Sequence, residues 1–126
     1  MKILLVDDSM TIRRALRNAL NRVILDRDVE YIEADNGQEA LETVQTNDDI
    51  DLVMLDINMP IMRGDQFLDK LRSEPALNKV KVIVVTTEAE KNSVKNIIKK
   101  GVNGYVIKPF QIENIRKSIL PILQRM

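Results

Sequence analysis

Short, purely apolar runs alternate along this chain with longer stretches in which apolar residues recur with helical spacing. Ile3-Leu4-Leu5-Val6 leads straight into Asp7-Asp8, and Leu52-Val53-Met54-Leu55 leads straight into Asp56. Between them, Ile12, Ala15, Leu16, Ala19, Leu20 and Val23 mark one face of a helix, with Ser9 placed to cap it. A second strand is predicted from Val29 to Ala34. Asn36-Gly37-Gln38-Glu39 then makes a capping-box-like start to a helix carrying Ala40, Leu41 and Val44. After strand 52–56, Pro60 and Gly64 lie in a loop before a helix with Phe67, Leu68 and Leu71. Strand 80–86 precedes a helix with Val94, Ile97 and Ile98, closed by Lys99-Lys100 and Gly101. Strand 104–108 and a helix with Ile112, Ile115 and Ile119 complete five β/α units.

This alternation predicts a parallel sheet with helices on both faces, because right-handed crossovers allow little else. The first, third and fourth runs are almost wholly apolar, as strands covered on both faces are. Val29-Glu30-Tyr31-Ile32-Glu33 is interrupted by charge and suits a sheet edge. The predicted class is α/β, a doubly wound five-stranded parallel sheet of order 2-1-3-4-5 in a flavodoxin-like three-layer sandwich. Its winding reverses between strands one and three, where ligands of open α/β sheets bind, and Asp7, Asp8 and Asp56 end up there. Two carboxylates about 4 Å apart at an effective dielectric near 20 repel by about 4 kcal/mol. The cluster therefore calls for a hard cation that prefers oxygen ligands, Mg²⁺ or Mn²⁺ in its place.

A length of 126 residues fits one domain, residues 1–126, with no output domain. The 19 basic and 19 acidic residues balance, and no basic run is suited to tracking a phosphate backbone, so nucleic acid is not an expected partner. Cysteine and histidine are absent, which removes disulfides, thiolate nucleophiles, histidine triads, imidazole metal ligands and a phosphohistidine of its own. Carboxylate, hydroxyl and amine chemistry remain. The apolar run after Met1-Lys2 is too short for a signal-peptide core, and no segment approaches membrane-spanning length. A cytoplasmic protein without a membrane partner is expected.

Four motifs stand in order at successive strand ends: Asp7-Asp8-Ser9; Asp56-Ile57-Asn58-Met59-Pro60-Ile61-Met62-Arg63-Gly64; Thr86-Thr87-Glu88; and Lys108-Pro109-Phe110. Together they resemble the receiver domain of bacterial response regulators across essentially the whole chain, most closely the single-domain chemotaxis type. The resemblance implies that Asp56 is the phosphoacceptor, attacking a phosphohistidine as a carboxylate nucleophile. It implies that Asp8, Asp56 and the backbone carbonyl of Asn58 bind Mg²⁺ directly, with Asp7 assisting through water. Lys108 and Thr86 would offer a positive charge and a hydroxyl to phosphoryl oxygens, and Lys108–Pro109 would adopt the family's cis bond. Asn58 and Glu88 would flank the attacking water and tune hydrolysis. Tyr105 resembles the family's switch aromatic, which turns inward as Thr86 moves toward the phosphate; a core tyrosine is the other reading.

The implied output surface is the fourth helix, fifth strand and fifth helix, with Val94, Ile98 and Tyr105 receiving an amphipathic partner peptide. Burial in the core is the competing reading of Val94 and Ile98. Expected partners are a histidine kinase as phosphodonor, a downstream protein such as the flagellar motor switch, and a phosphatase, with the chain itself a monomer. It would be no enzyme in the ordinary sense, since it catalyses only its own phosphorylation and dephosphorylation. Three departures from the family pattern stand out. Arg63 occupies a place where an acid or amide is common, the connection from Asn21 to Asp28 is long and lacks glycine, and Pro121 falls inside the last helix. Competing functions are a phosphorelay intermediate that passes the group to another histidine protein, an aspartate-nucleophile phosphohydrolase, and a flavodoxin-type protein. The phosphohydrolase would need a second acid where Ser9 stands. The flavodoxin-type reading lacks a hydroxyl- and glycine-rich phosphate loop.

Overall fold

The structure, a computed structural model, describes residues 1–87 and 91–126, with the side chains of residues 91–93 outside the description. Its elements run β1 (Lys2–Val6), α1 (Met10–Val23), β2 (Glu30–Ala34), α2 (Gly37–Thr46), β3 (Leu52–Asp56), α3 (Gly64–Ser73), β4 (Lys81–Thr87), α4 (Lys91–Ile98), β5 (Gly104–Lys108) and α5 (Ile112–Leu123). The strands form one five-stranded sheet in the order β2-β1-β3-β4-β5, all parallel, as the apolar runs predicted.

Strand polarity sorts as expected. Every residue of β3 is buried, and β1 is buried from Ile3 on, whereas β2 carries exposed Glu30 and Glu33 at its edge. Period-two alternation splits the core into two layers. Leu4, Val6, Val53 and Leu55 face Ala40, Leu41, Phe67 and Leu68 of α2 and α3. Ile3, Leu5, Leu52 and Met54 face Leu16, Leu20, Ile115 and Ile119 of α1 and α5. Ser9 and Asn36 cap α1 and α2 as predicted, accepting from Ile12 N at 3.3 Å and Glu39 N at 2.9 Å.

Boundaries shift where turns compete with strands. β4 begins at Lys81 instead of residue 80, because Val80 N is held by Leu77 O in a turn, and it runs on to Thr87. β2 begins at Glu30, whose N–H bonds Met1 O. α1 stops at Val23, and the long connection buries Ile24 while leaving Leu25 82% exposed. Pro121 lies within α5, which continues to Leu123. Among the described residues no helix is long and apolar enough to cross a membrane.

Candidate functional site

Register brings the motifs together. Val6 pairs with Leu55, so Asp7 and Asp56 follow at neighbouring strand ends. Asp56 pairs with Val85, which puts Thr86 one step further along β4, and Thr87 pairs with Lys108. One edge of the sheet thus collects carboxylates, a hydroxyl and an amine from four strands.

Carboxylate oxygens of Asp7, Asp8 and Asp56 lie within 4.8 Å of one another, and this hard oxygen set suits Mg²⁺. The three acids differ in setting. Asp7 is 1% exposed and Asp56 5%, while Asp8 is open to solvent. Lys108 Nζ bridges the buried pair, at 2.7 Å from Asp7 Oδ2 and 3.2 Å from Asp56 Oδ1. The other Asp7 oxygen accepts from Ser9 N at 2.8 Å, and the Asp7 carbonyl accepts from Arg13 Nη1 at 2.5 Å. Arg13 also pairs with Glu33 at 2.9 Å, tying α1, the end of β1 and β2 at one point. Sequence reasoning passed over Arg13; its place one helical turn beyond the Ser9 cap was the available signal.

Burial decides the titration of Asp56. Desolvation, and then repulsion from Asp7, push the Asp56 carboxyl up to about 6, against the opposing pull of Lys108. Burial by itself works against the Lys108 charge. Its hydrogen bond to Asp7 and the nearby Asp56 and Asp7 charges outweigh that cost, so its pKa lies above the ordinary lysine value.

The loop from β3 to α3 folds tightly back on the acid. Gly64 N donates to Ile57 O at 2.9 Å, and a Cβ at Gly64 would stand 2.1 Å from Asp56 O, so only glycine fits. Met62 N closes onto Pro60 O at 2.7 Å around Ile61, whose φ of 68° is unusual for a β-branched residue. Arg63 projects from this loop and spans two side chains: Nη1 reaches Asn58 Oδ1 at 3.3 Å and Nε reaches Asp65 Oδ1 at 3.2 Å. Lys108–Pro109 is cis.

Thr86 is fully buried and Tyr105 is 48% exposed. Tyr105 therefore faces solvent and is not packed as a core tyrosine. Of the two apolar residues proposed for the partner surface, only Ile98 fits, at 44% exposed. Val94 is a correction: at 4% exposed it is on the inward side of α4 and belongs to the core. Glu88 lies outside the described residues.

Comparison with known proteins gives one consistent picture. The model of the response regulator receiver domain matches residues 3–120. A chemotaxis protein CheY homolog of Campylobacter jejuni is 37% identical over 123 residues, covering 98% of this chain and 92% of the relative. Chemotaxis protein CheY1 of Helicobacter pylori is likewise 37% identical over 123 residues, covering 98% and 97%. Among solved structures, the chemotaxis response regulator CheY4 of Vibrio cholerae aligns with a TM-score of 0.78 at 31% identity, over 98% of this chain and 96% of that one. A response regulator receiver domain from Clostridium thermocellum aligns at 0.84 with 25% identity, over 98% and 94%.

Proposed function

The chain belongs to the response regulator receiver domain family, the receiving half of two-component signalling, and from that premise we propose that it accepts a phosphoryl group on Asp56 from a histidine kinase and thereby changes its affinity for a chemotaxis partner. The observation that carries this reading is the bridge of Lys108 between two buried aspartates at the mouth of the β1/β3 crevice. A charged cluster that is mostly buried is expensive to maintain unless function uses it.

Both described contacts of the Asp56 carboxylate, from Ile57 N at 2.9 Å and Lys108 at 3.2 Å, fall on Oδ1. Oδ2 is then the attacking oxygen. It forms a bond to phosphorus as the P–N bond of the donor's phosphohistidine breaks, the electron pair leaving with the imidazole. Lys108 presents its ammonium to a phosphoryl oxygen, and the Thr86 hydroxyl donates to another. Asp8 and Asp56, with the Asn58 backbone carbonyl, would hold Mg²⁺ or Mn²⁺ directly, and Asp7 would assist through water. Such a cation, when bound, offsets charge on the phosphoryl group during transfer. Ser9 is used as the α1 cap, which supports this reading over a phosphohydrolase needing a second acid there.

Movement of Thr86 toward the phosphate draws Tyr105 inward from its exposed position and reshapes the surface of α4, β5 and α5 beside Ile98. The partner is a protein such as the flagellar motor switch, and a phosphatase resets the signal. The receiver domain spans residues 1–126, works in the cytoplasm as a monomer and catalyses only its own phosphorylation and dephosphorylation. Phosphotransfer from a ³²P-labelled histidine kinase domain tests the reading. Label should move to the wild-type chain within minutes and not to Asp56→Asn; equal transfer to both overturns it.

A further inference from the structure

The Arg63 guanidinium stands at the rim of the site and hydrogen-bonds the side chain of Asn58, two residues beyond Asp56. A guanidinium has donors and no acceptor, so the amide oxygen of Asn58 must be the end that meets it. The Arg63 end of the contact is held by two further bonds. Arg63 Nε is anchored to Asp65 in the first turn of α3, and the Arg63 backbone N–H donates to Gln66 Oε1 at 3.0 Å. Gly64, next in the chain, is held against the Asp56 carbonyl as described above. With the oxygen end turned to Arg63, the end of the Asn58 amide left to face elsewhere is its NH₂ group, which can only donate.

That polarity bears on hydrolysis. Loss of the aspartyl phosphate requires water oxygen to attack phosphorus while the P–O bond to the Asp56 carboxylate breaks, releasing the carboxylate and orthophosphate that keeps the water's protons. A neighbouring acceptor helps by holding the water's O–H and aiming its lone pair. An amide that presents its N–H groups cannot do this; it donates instead to phosphoryl oxygens and favours the intact acyl phosphate. Resting on the phosphoacceptor reading of Asp56, we propose that Arg63 is a positioning residue that lengthens the life of the phosphorylated state by occupying the Asn58 amide oxygen.

The test is the decay of labelled acyl phosphate in Mg²⁺ after the small donor acetyl phosphate is removed. Arg63→Ala frees the amide to turn and should decay about three- to fivefold faster, the range of one modest hydrogen bond. Arg63→Lys, which retains a donor, should recover most of the wild-type lifetime. Asp65→Asn, which loosens the anchor without touching the loop, should shorten the lifetime in the same direction. In an Asn58→Ala background, Arg63→Ala should make no further difference. Unchanged decay in Arg63→Ala and Asp65→Asn, or a persistent Arg63 effect without the Asn58 side chain, overturns the inference and leaves the phosphoacceptor standing. Failure of the wild-type chain to take label overturns both.

Discussion

Lys108 Nζ lies 2.7 Å from Asp7 Oδ2, joining residues 101 positions apart and at opposite ends of the β1-β3-β4-β5 succession. The lysine is thus an internal counter-ion. Two buried aspartates are tolerated side by side because one ammonium reaches both.

Removing that ammonium should expose the cost. Lys108→Ala leaves Asp7 buried without its cation and is expected to lose about 3 kcal/mol of stability in EDTA. Millimolar Mg²⁺ should restore most of it, because the ion binds the folded site only. Its Mg²⁺ affinity should match or exceed wild type, whereas Asp8→Ala should lose it. Melting curves and a Mg²⁺ titration check this; a loss of affinity in Lys108→Ala equal to that of Asp8→Ala contradicts it.

Asp56 sets a pH dependence with a definite sign. Asp56 titrates at about 6 in the folded protein against an ordinary value of 3.8, so between those values the folded chain holds the extra proton. The Asp56 contribution to the stability of the metal-free protein therefore falls as pH rises through that window and does not return above it. A rise from 3.8 to about 6 corresponds to about 3 kcal/mol. Asp56→Asn should outdo wild type by up to about that amount near neutrality and by nothing below about pH 4. Thermal melts in EDTA at several pH values measure it, and an advantage independent of pH counts against the assignment.

Gly64 is the steric gate of the loop. A methyl group there would meet the Asp56 carbonyl at 2.1 Å, and relief requires displacing the backbone of Asp56 itself. Gly64→Ala should lose about 1–3 kcal/mol of stability and at least tenfold in phosphorylation rate. Ile61→Gly, one turn away at a φ of 68°, should be neutral or stabilising. A fully active Gly64→Ala contradicts this account of the loop.

The strand order and the meeting of Asp7, Asp8 and Asp56 were legible because strand burial leaves a strong record in sequence, while Thr86 and Lys108 were added by the family resemblance. Ile3 to Val6 and Leu52 to Leu55 have no polar interruption, and each ends where the chain leaves the core. The reach of Lys108 to Asp7, the clamp of Arg13 on the Asp7 carbonyl and the bond from Arg63 to Asn58 were not legible. Each depends on the rotamer of a long side chain and on a backbone turn that only tertiary packing specifies. Val94 illustrates the same limit. Periodicity put it on the same face of α4 as Ile98, but Val94 packs inward while Ile98, one turn further on at the last residue of the helix, is left exposed.

Buried Thr86 and outward Tyr105 are the two ends of the proposed switch. Thr86→Ala should still be phosphorylated yet gain less than a third of the wild-type increase in partner affinity, since a population shift needs the phosphate to favour one packing over the other. Tyr105 fluorescence before and after phosphorylation gives a second readout. Full activation in Thr86→Ala removes the hydroxyl from the pathway.

The most direct measurement is the site and chemistry of the modification itself. With Mg²⁺ and ³²P-acetyl phosphate, the wild-type chain should take up label at a stoichiometry approaching one, discharged by alkali and by hydroxylamine as an acyl phosphate is. Asp56→Asn should remain unlabelled, and EDTA should abolish labelling of the wild type. Alkali-stable label, or label of normal stoichiometry on Asp56→Asn, contradicts the assignment of Asp56 and with it the account of this site.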